Sequence, residues 1–108
     1  MNIIKTHVAG TTFNNRQGFI CYLNAHATDA YVTVRREPNN PFDPNAVRVL
    51  GHVRGGKHVD LGYIPRNLAE ELAPIMDQGK KAFVQDFSVV RARHAKNYGV
   101  TITIKWCS

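Results

Sequence analysis

Cysteine is nearly absent. Cys21 and Cys107 stand far apart in 108 residues and in no CxxC or Cys/His spacing, so neither a zinc site nor a disulfide framework is indicated. A reduced, cytoplasmic setting is the expectation. Long hydrophobic runs are missing as well: no stretch approaches the about 18 apolar residues of a membrane span, and the opening MNIIKTHVAG lacks the apolar core of a signal peptide. There is no low-complexity segment and no internal repeat, so the expectation is a single unit over residues 1–108. Acids are scarce too. Eight Asp and Glu face 14 Lys and Arg, a formal +6, and on so small a body that excess favours an anionic partner, although it also serves solubility.

Catalytic signatures are equally thin. No G-x-S-x-G occurs, the five histidines are scattered, and neither cysteine carries the pattern of a nucleophile. RGGK, Arg54 to Lys57, lacks the glycine spacing of a phosphate loop and has His58 where Ser or Thr must follow the Lys; it reads as a turn. The remaining enzymatic rival is a metal-dependent nuclease using Glu37, Asp43 and Asp60 as Mg²⁺ ligands, but no nuclease spacing accompanies them. No catalysis, cofactor or metal is expected.

What is present is mostly strand. Hydrophobic content of 44% and charged content of 20% are ordinary for a globular chain. Ile3 to Ala9 predicts a first strand, a polar loop TTFNNRQG follows Gly10, and the apolar run Phe19 to Ala25 predicts a second. Tyr31 to Arg36 alternates, with Val32 and Val34 on one face and Tyr31, Thr33 and Arg35 on the other. Ala46 to Val53 and His58 to Ile64 form a hairpin about the Gly-Gly turn, and Phe83 to Arg93 pairs with Val100 to Trp106 about KNYG. Leu68, Leu72, Ile75 and Met76 recur at helical spacing, so Pro65 to Gly79 predicts a helix (about 66–78) opened by its proline and closed by its glycine. Pro74 should kink or restart it. Six to seven short strands and one helix make a mainly β fold, a small antiparallel barrel of OB-like or SH3-like kind.

Between the third and fourth strands lies REPNNPFDPNAV, residues Arg36 to Val47. Pro38, Pro41 and Pro44 fix φ at regular intervals and remove chain freedom before any ligand arrives. Asn39, Asn40 and Asn45 are turn residues, at least one of them expected in left-handed backbone. Such a loop presents amides and a carboxylate in one geometry, so binding need not supply the ordering.

The succession V-A-G-T-T-F, then R-R-E-P-N-N-P-F-D-P-N-A-V-R-V, then L-G-Y-I-P-R-N-L-A-E-E-L-A-P-I-M-D-Q-G resembles a HIRAN domain, the module at the N-terminus of some fork-remodelling helicases and also a free-standing bacterial protein. The resemblance covers about Val8 to Gly79. It implies an OB-like barrel that binds single-stranded DNA, in helicase members by capturing a free 3′-hydroxyl, in DNA repair or replication-fork processing. Carried over, Asn39, Asn40, Phe42 and Asp43 fall at the end-binding pocket, Phe13 matches an aromatic of that pocket, and Tyr63 and Arg66 match residues that hold backbone phosphates. Helicase members carry an arginine just before the first aromatic. Here that position is Thr12, and Arg16 or Arg35 is the candidate to replace it.

The chemistry agrees. A terminal 3′-hydroxyl donates, and an ionised Asp43 only accepts, which gives a short charge-assisted bond that a 3′-phosphate would replace with repulsion. Alternatively Asp43 caps the Pro-Asn turn that comes after it. Phe42 and Phe13 offer stacking faces or else pack into the barrel. Arg91, Arg93, His94 and Lys96 extend a phosphate track or form a solvated turn. The expected partner is single-stranded DNA at its 3′ end, met by a monomer working beside a helicase or nuclease. The alternative is a protein-interaction adaptor that uses the same loop.

Overall fold

The chain folds, in a computed structural model that describes residues 1–91 and 95–107, into six strands and two helices. In order these are β1 (Asn2–His7), α1 (Arg16–Ala25), β2 (Ala30–Arg36), β3 (Val47–Val53), β4 (Val59–Tyr63), α2 (Arg66–Asp77), β5 (Ala82–Val90) and β6 (Gly99–Trp106), with one 3-10 turn at Ala27–Asp29. Two antiparallel three-stranded sheets, β1-β6-β5 and β2-β3-β4, enclose the core, and β2 runs beside β5. The sheets are stitched at the other side by Ala9 and Tyr63, which exchange backbone hydrogen bonds of 2.7 and 2.9 Å. The fold is mainly β and OB-like, as the strand pattern predicts.

Alternation decides which residues make the core. On β6, Val100, Ile102, Ile104 and Trp106 are buried, and on β3 Val47, Val49 and Val53 face the same interior. α2 contributes Leu68, Ala69, Leu72 and Ala73, and each large apolar side chain of this core contributes about 1.5–3 kcal/mol on burial. The β3-β4 hairpin forms at its Gly-Gly turn, Gly55 taking φ 75°, and β5 pairs antiparallel with β6.

Several expectations are corrected. Phe19 to Ala25 is not a strand: it is most of α1, whose Arg16, Ile20 and Leu23 are buried at spacings of four and three. The turn into it is made by Asn14 and Asn15, at φ 55° and 63°, so the left-handed asparagines are these two and not Asn39, Asn40 or Asn45. The barrel therefore has six strands and a second helix. Pro74 does not make α2 restart: the helix runs on through it to Asp77. The carbonyl its missing N–H leaves over belongs to Glu70, itself exposed, so water can satisfy it.

A bulge interrupts the alternation of β4. Val49 pairs with Gly62 but Leu50 pairs with Asp60, so Leu61 is skipped. Residues three apart on a regular strand point to opposite faces; the extra residue turns Asp60 and Tyr63 to the same, outer face. Gly62, at φ 134°, lies so close to Ala9 that a Cβ would run into the Ala9 carbonyl oxygen.

Candidate functional site

The proline-rich loop between β2 and β3, the turn before α1, the end of β4 and the start of α2 surround an open cleft of about 1320 Å³. Phe13, Asn39, Asn40, Phe42, Asp43, Tyr63 and Arg66 all line it, and Arg16 forms part of its wall. Residues from four separate segments, picked from the sequence, thus meet in one place. Arg35 does not line the cleft but stands exposed beside it on β2. Arg91 is elsewhere, donating to the Ala95 carbonyl and lying over the Tyr98 ring. Arg93 and His94 fall outside the described residues.

The loop is held as a double turn. Glu37 N–H donates to the Ala46 carbonyl, Asn40 N–H to that of Glu37 and Ala46 N–H to that of Asp43. The Asn40 side chain holds the turn together: its Oδ1 accepts from the N–H groups of Phe42 and Asp43, and its Nδ2 donates to Glu37 Oε1 and, at 3.4 Å, to the Tyr63 hydroxyl. Asn40 therefore builds the pocket more than it faces a ligand. Phe42 is left 87% exposed at the tip and Phe13 65% exposed across the cleft; neither packs into the barrel.

Of the two readings of Asp43, the turn cap has its contact in the structure. Oδ1 accepts from the Asn45 N–H at 2.9 Å, which is the turn cap. Oδ2 faces Arg66 Nε at 3.8 Å, and Arg66, the first residue of α2, is 72% exposed. One carboxylate oxygen is structural; the other looks into the cleft beside an exposed cation.

Behind the rim is a half-buried polar chain, with Arg16 fully buried in it, that the sequence did not announce. Arg16 binds Asp60 Oδ2 through Nε and Nη2 and the Gly10 carbonyl through Nη1, so it offers a ligand charge from behind the wall rather than a free donor. Arg48 donates from Nη2 to the Tyr63 hydroxyl at 2.7 Å, and that hydroxyl donates to Glu37 Oε1 at 2.9 Å. Arg48 Nε meets Glu37 Oε2 as an ion pair without an aligned hydrogen bond. The Arg16 and Arg48 guanidiniums lie 5.5 and 5.3 Å from the Tyr63 ring centre, within cation–π range. Arg36 joins the loop base to α2 by paired bonds to Asp77.

Burial by itself would raise the Glu37 carboxyl, but hydrogen bonds from Asn40 and Tyr63 and the charges of Arg48 and Arg35 outweigh it and hold the pKa below the ordinary 4.5. Burial likewise works against the Arg48 charge, and the Tyr63 hydroxyl, Asp60 and Glu37 more than restore it. Glu37 and Arg48 are thus both fixed in their charged forms. Each arginine lining the cleft has an acid partner, Asp60 for Arg16, Glu37 for Arg48, Asp77 for Arg36 and, at 3.8 Å, Asp43 for Arg66, and the loosely paired, exposed cation is Arg66 at the rim. Glu37, Asp43 and Asp60 do not converge as the nuclease reading requires: among the described residues no group of three acids, histidines or cysteines could hold a metal ion.

Arg48 and Arg36 are charged cleft residues that sequence reasoning did not pick, and Glu37 and Asp60 were read only as metal ligands of the nuclease alternative. The available signal was Arg48 itself, a lone cation between Val47 and Val49 on a strand with most of its residues buried.

A small two-sheet barrel with a stiff, acid-bearing loop over an arginine-walled cleft defines a binding module. The chain belongs to the HIRAN domain family, whose profile matches residues 2–106. It is 38% identical over 68 residues to the rabbit (Oryctolagus cuniculus) helicase-like transcription factor and 43% identical over 51 residues to the Fanconi-associated nuclease 1 homolog of rice (Oryza sativa subsp. japonica). Those matches cover 63% and 45% of this chain but only 6% and 5% of the relatives. A crystal structure of a protein from Lactobacillus plantarum superposes with a TM-score of 0.62 at 23% identity, over 95% of this chain and 96% of that one; it shares the fold. No helix among the described residues is long and apolar enough to cross a membrane.

Proposed function

We propose that this chain is a DNA-binding module, without catalysis of its own, that takes the 3′-hydroxyl end of a single strand into the cleft beneath the Asn39–Asp43 loop. DNA binding as such is supported by membership of the HIRAN family and by relatives whose names describe a helicase-like factor and a nuclease. The finer reading rests on one observation: Asp43 Oδ2, spared by the turn that engages Oδ1, stands next to Arg66 in a cleft that two exposed phenylalanines, Phe13 and Phe42, also line. A terminal hydroxyl donates to that oxygen, the preceding phosphate meets Arg66, and the last bases stack on Phe13 and Phe42, each stack contributing about 1–3 kcal/mol. A helicase or nuclease acting on the same strand is the partner that fits.

Fluorescence anisotropy with a labelled single strand at two salt concentrations tests this. The reading predicts saturable binding that weakens roughly two- to threefold per neutralised phosphate between about 50 and 200 mM salt, from a slope near −0.7 per contact. An adaptor that grips a peptide with the same loop predicts no saturable binding at either concentration.

A further inference from the structure

The cleft occupies one end of the outer face of the β2-β3-β4 sheet, and the other end carries a second ring cluster. Cross-strand partners share a face, and the register Arg35↔Arg48, Thr33↔Leu50, Tyr31↔His52 runs from the cleft wall straight to it. Leu50 is buried but outside the core cluster, as befits a residue on this outer face. At the far end Tyr31, 57% exposed, lies flat on His52, with ring centres 4.7 Å apart and planes within 6°. The outer face of Tyr31 has no aromatic partner among the described residues. His52 is held in register by Thr33, whose hydroxyl is 2.7 Å from its Nε2, and exposed His58 approaches to 6.0 Å.

His52 lies four residues beyond Arg48, about 13 Å of sheet, and exposed Arg35, the cross-strand partner of Arg48, stands at the start of that path. Lys57 and Arg54, both exposed, lie on the hairpin turn next to His58. A flat, pre-ordered ring with cations before and after it matches the alternation of base and phosphate in a single strand.

We propose that Tyr31 on His52 is a second stacking platform, which takes a base of the same strand a few nucleotides back from the end held in the cleft. This rests on the cleft being a single-strand site, and the test separates the two. Anisotropy is measured with 3′-hydroxyl oligothymidylates of three and twelve nucleotides, for the wild type, Tyr31→Ala and Tyr31→Phe. The wild type should bind the longer strand at least about fivefold more tightly, the lower bound for one stacked base. Tyr31→Ala should remove that gain while leaving the trinucleotide affinity unchanged, and Tyr31→Phe should keep it, because the ring and not the hydroxyl stacks. A Tyr31→Ala protein that retains the full length gain overturns the platform, as does one that loses affinity equally for both lengths. A wild type that binds both lengths equally leaves the cleft and removes the platform; one that binds neither removes both.

Discussion

Asp43→Asn separates the turn cap made by one carboxylate oxygen from the strand-end contact proposed for the other. The substituted amide keeps an oxygen to accept from the Asn45 N–H, as Oδ1 does at 2.9 Å, but puts an N–H₂ where Oδ2 faces the cleft. A terminal hydroxyl then meets no acceptor and no charge at that position, and the loss is that of a hydrogen bond to a charged group, about 1.5–3 kcal/mol. In affinity this is about tenfold to 150-fold for a 3′-hydroxyl strand. For a 3′-phosphate strand the same change removes a repulsion, so affinity should hold or rise. Stability should barely move, since the ion pair given up with Arg66 is long and its cation 72% exposed, worth about 0–1 kcal/mol. Asp43→Ala, which also leaves the Asn45 N–H without its acceptor, should cost about 1 kcal/mol more and lower Tm by about 4–8 °C. Anisotropy titrations with both strand ends, beside a thermal melt, read all of this. An equal loss of affinity for the two ends in Asp43→Asn would refute the role given to Oδ2.

Other perturbations have equally definite outcomes. Phe42→Ala should leave stability within about 0.5 kcal/mol, because the ring is 87% exposed, yet cost about 1–3 kcal/mol in strand binding; a matching drop in Tm would mean the ring packs rather than stacks. Gly62→Ala should destabilise by about 3 kcal/mol or more, since it places a Cβ against the Ala9 carbonyl at φ 134°, and a wild-type melting temperature would contradict the close approach at the bulge. The folded pKa of Glu37 lies below its ordinary 4.5, so its contribution is complete above that value and is lost as pH falls through the folded pKa. The stability difference between wild type and Glu37→Gln should therefore be largest above about pH 5 and shrink on acidification; a difference that grows toward low pH would reverse the assigned sign.

Strands with clear alternation were legible in the sequence because one face is buried and the other is not: β2 and β6 fall where Val32 and Ile102 mark the inner side. α1 was not, because FICYLNA is a short apolar run that fits a buried strand as well as a helix, and its buried face, Arg16, Ile20 and Leu23, begins with a charged residue. Only the fold reveals that Arg16 is buried on Asp60. The same holds for the site. Its rim, Tyr63 included, was legible through the resemblance of the loop and its flanks to a HIRAN domain, whereas the meeting of Arg48 and Asp60 with Tyr63 depends on a one-residue bulge that no local pattern encodes.

The most direct measurement is a titration of the wild-type protein with one single strand ending in a 3′-hydroxyl, the same strand ending in a 3′-phosphate, and a blunt duplex. Capture of the terminal hydroxyl by Asp43 predicts that the first binds at least about tenfold more tightly than the second and more tightly than the duplex. Equal dissociation constants for the two single strands would contradict it.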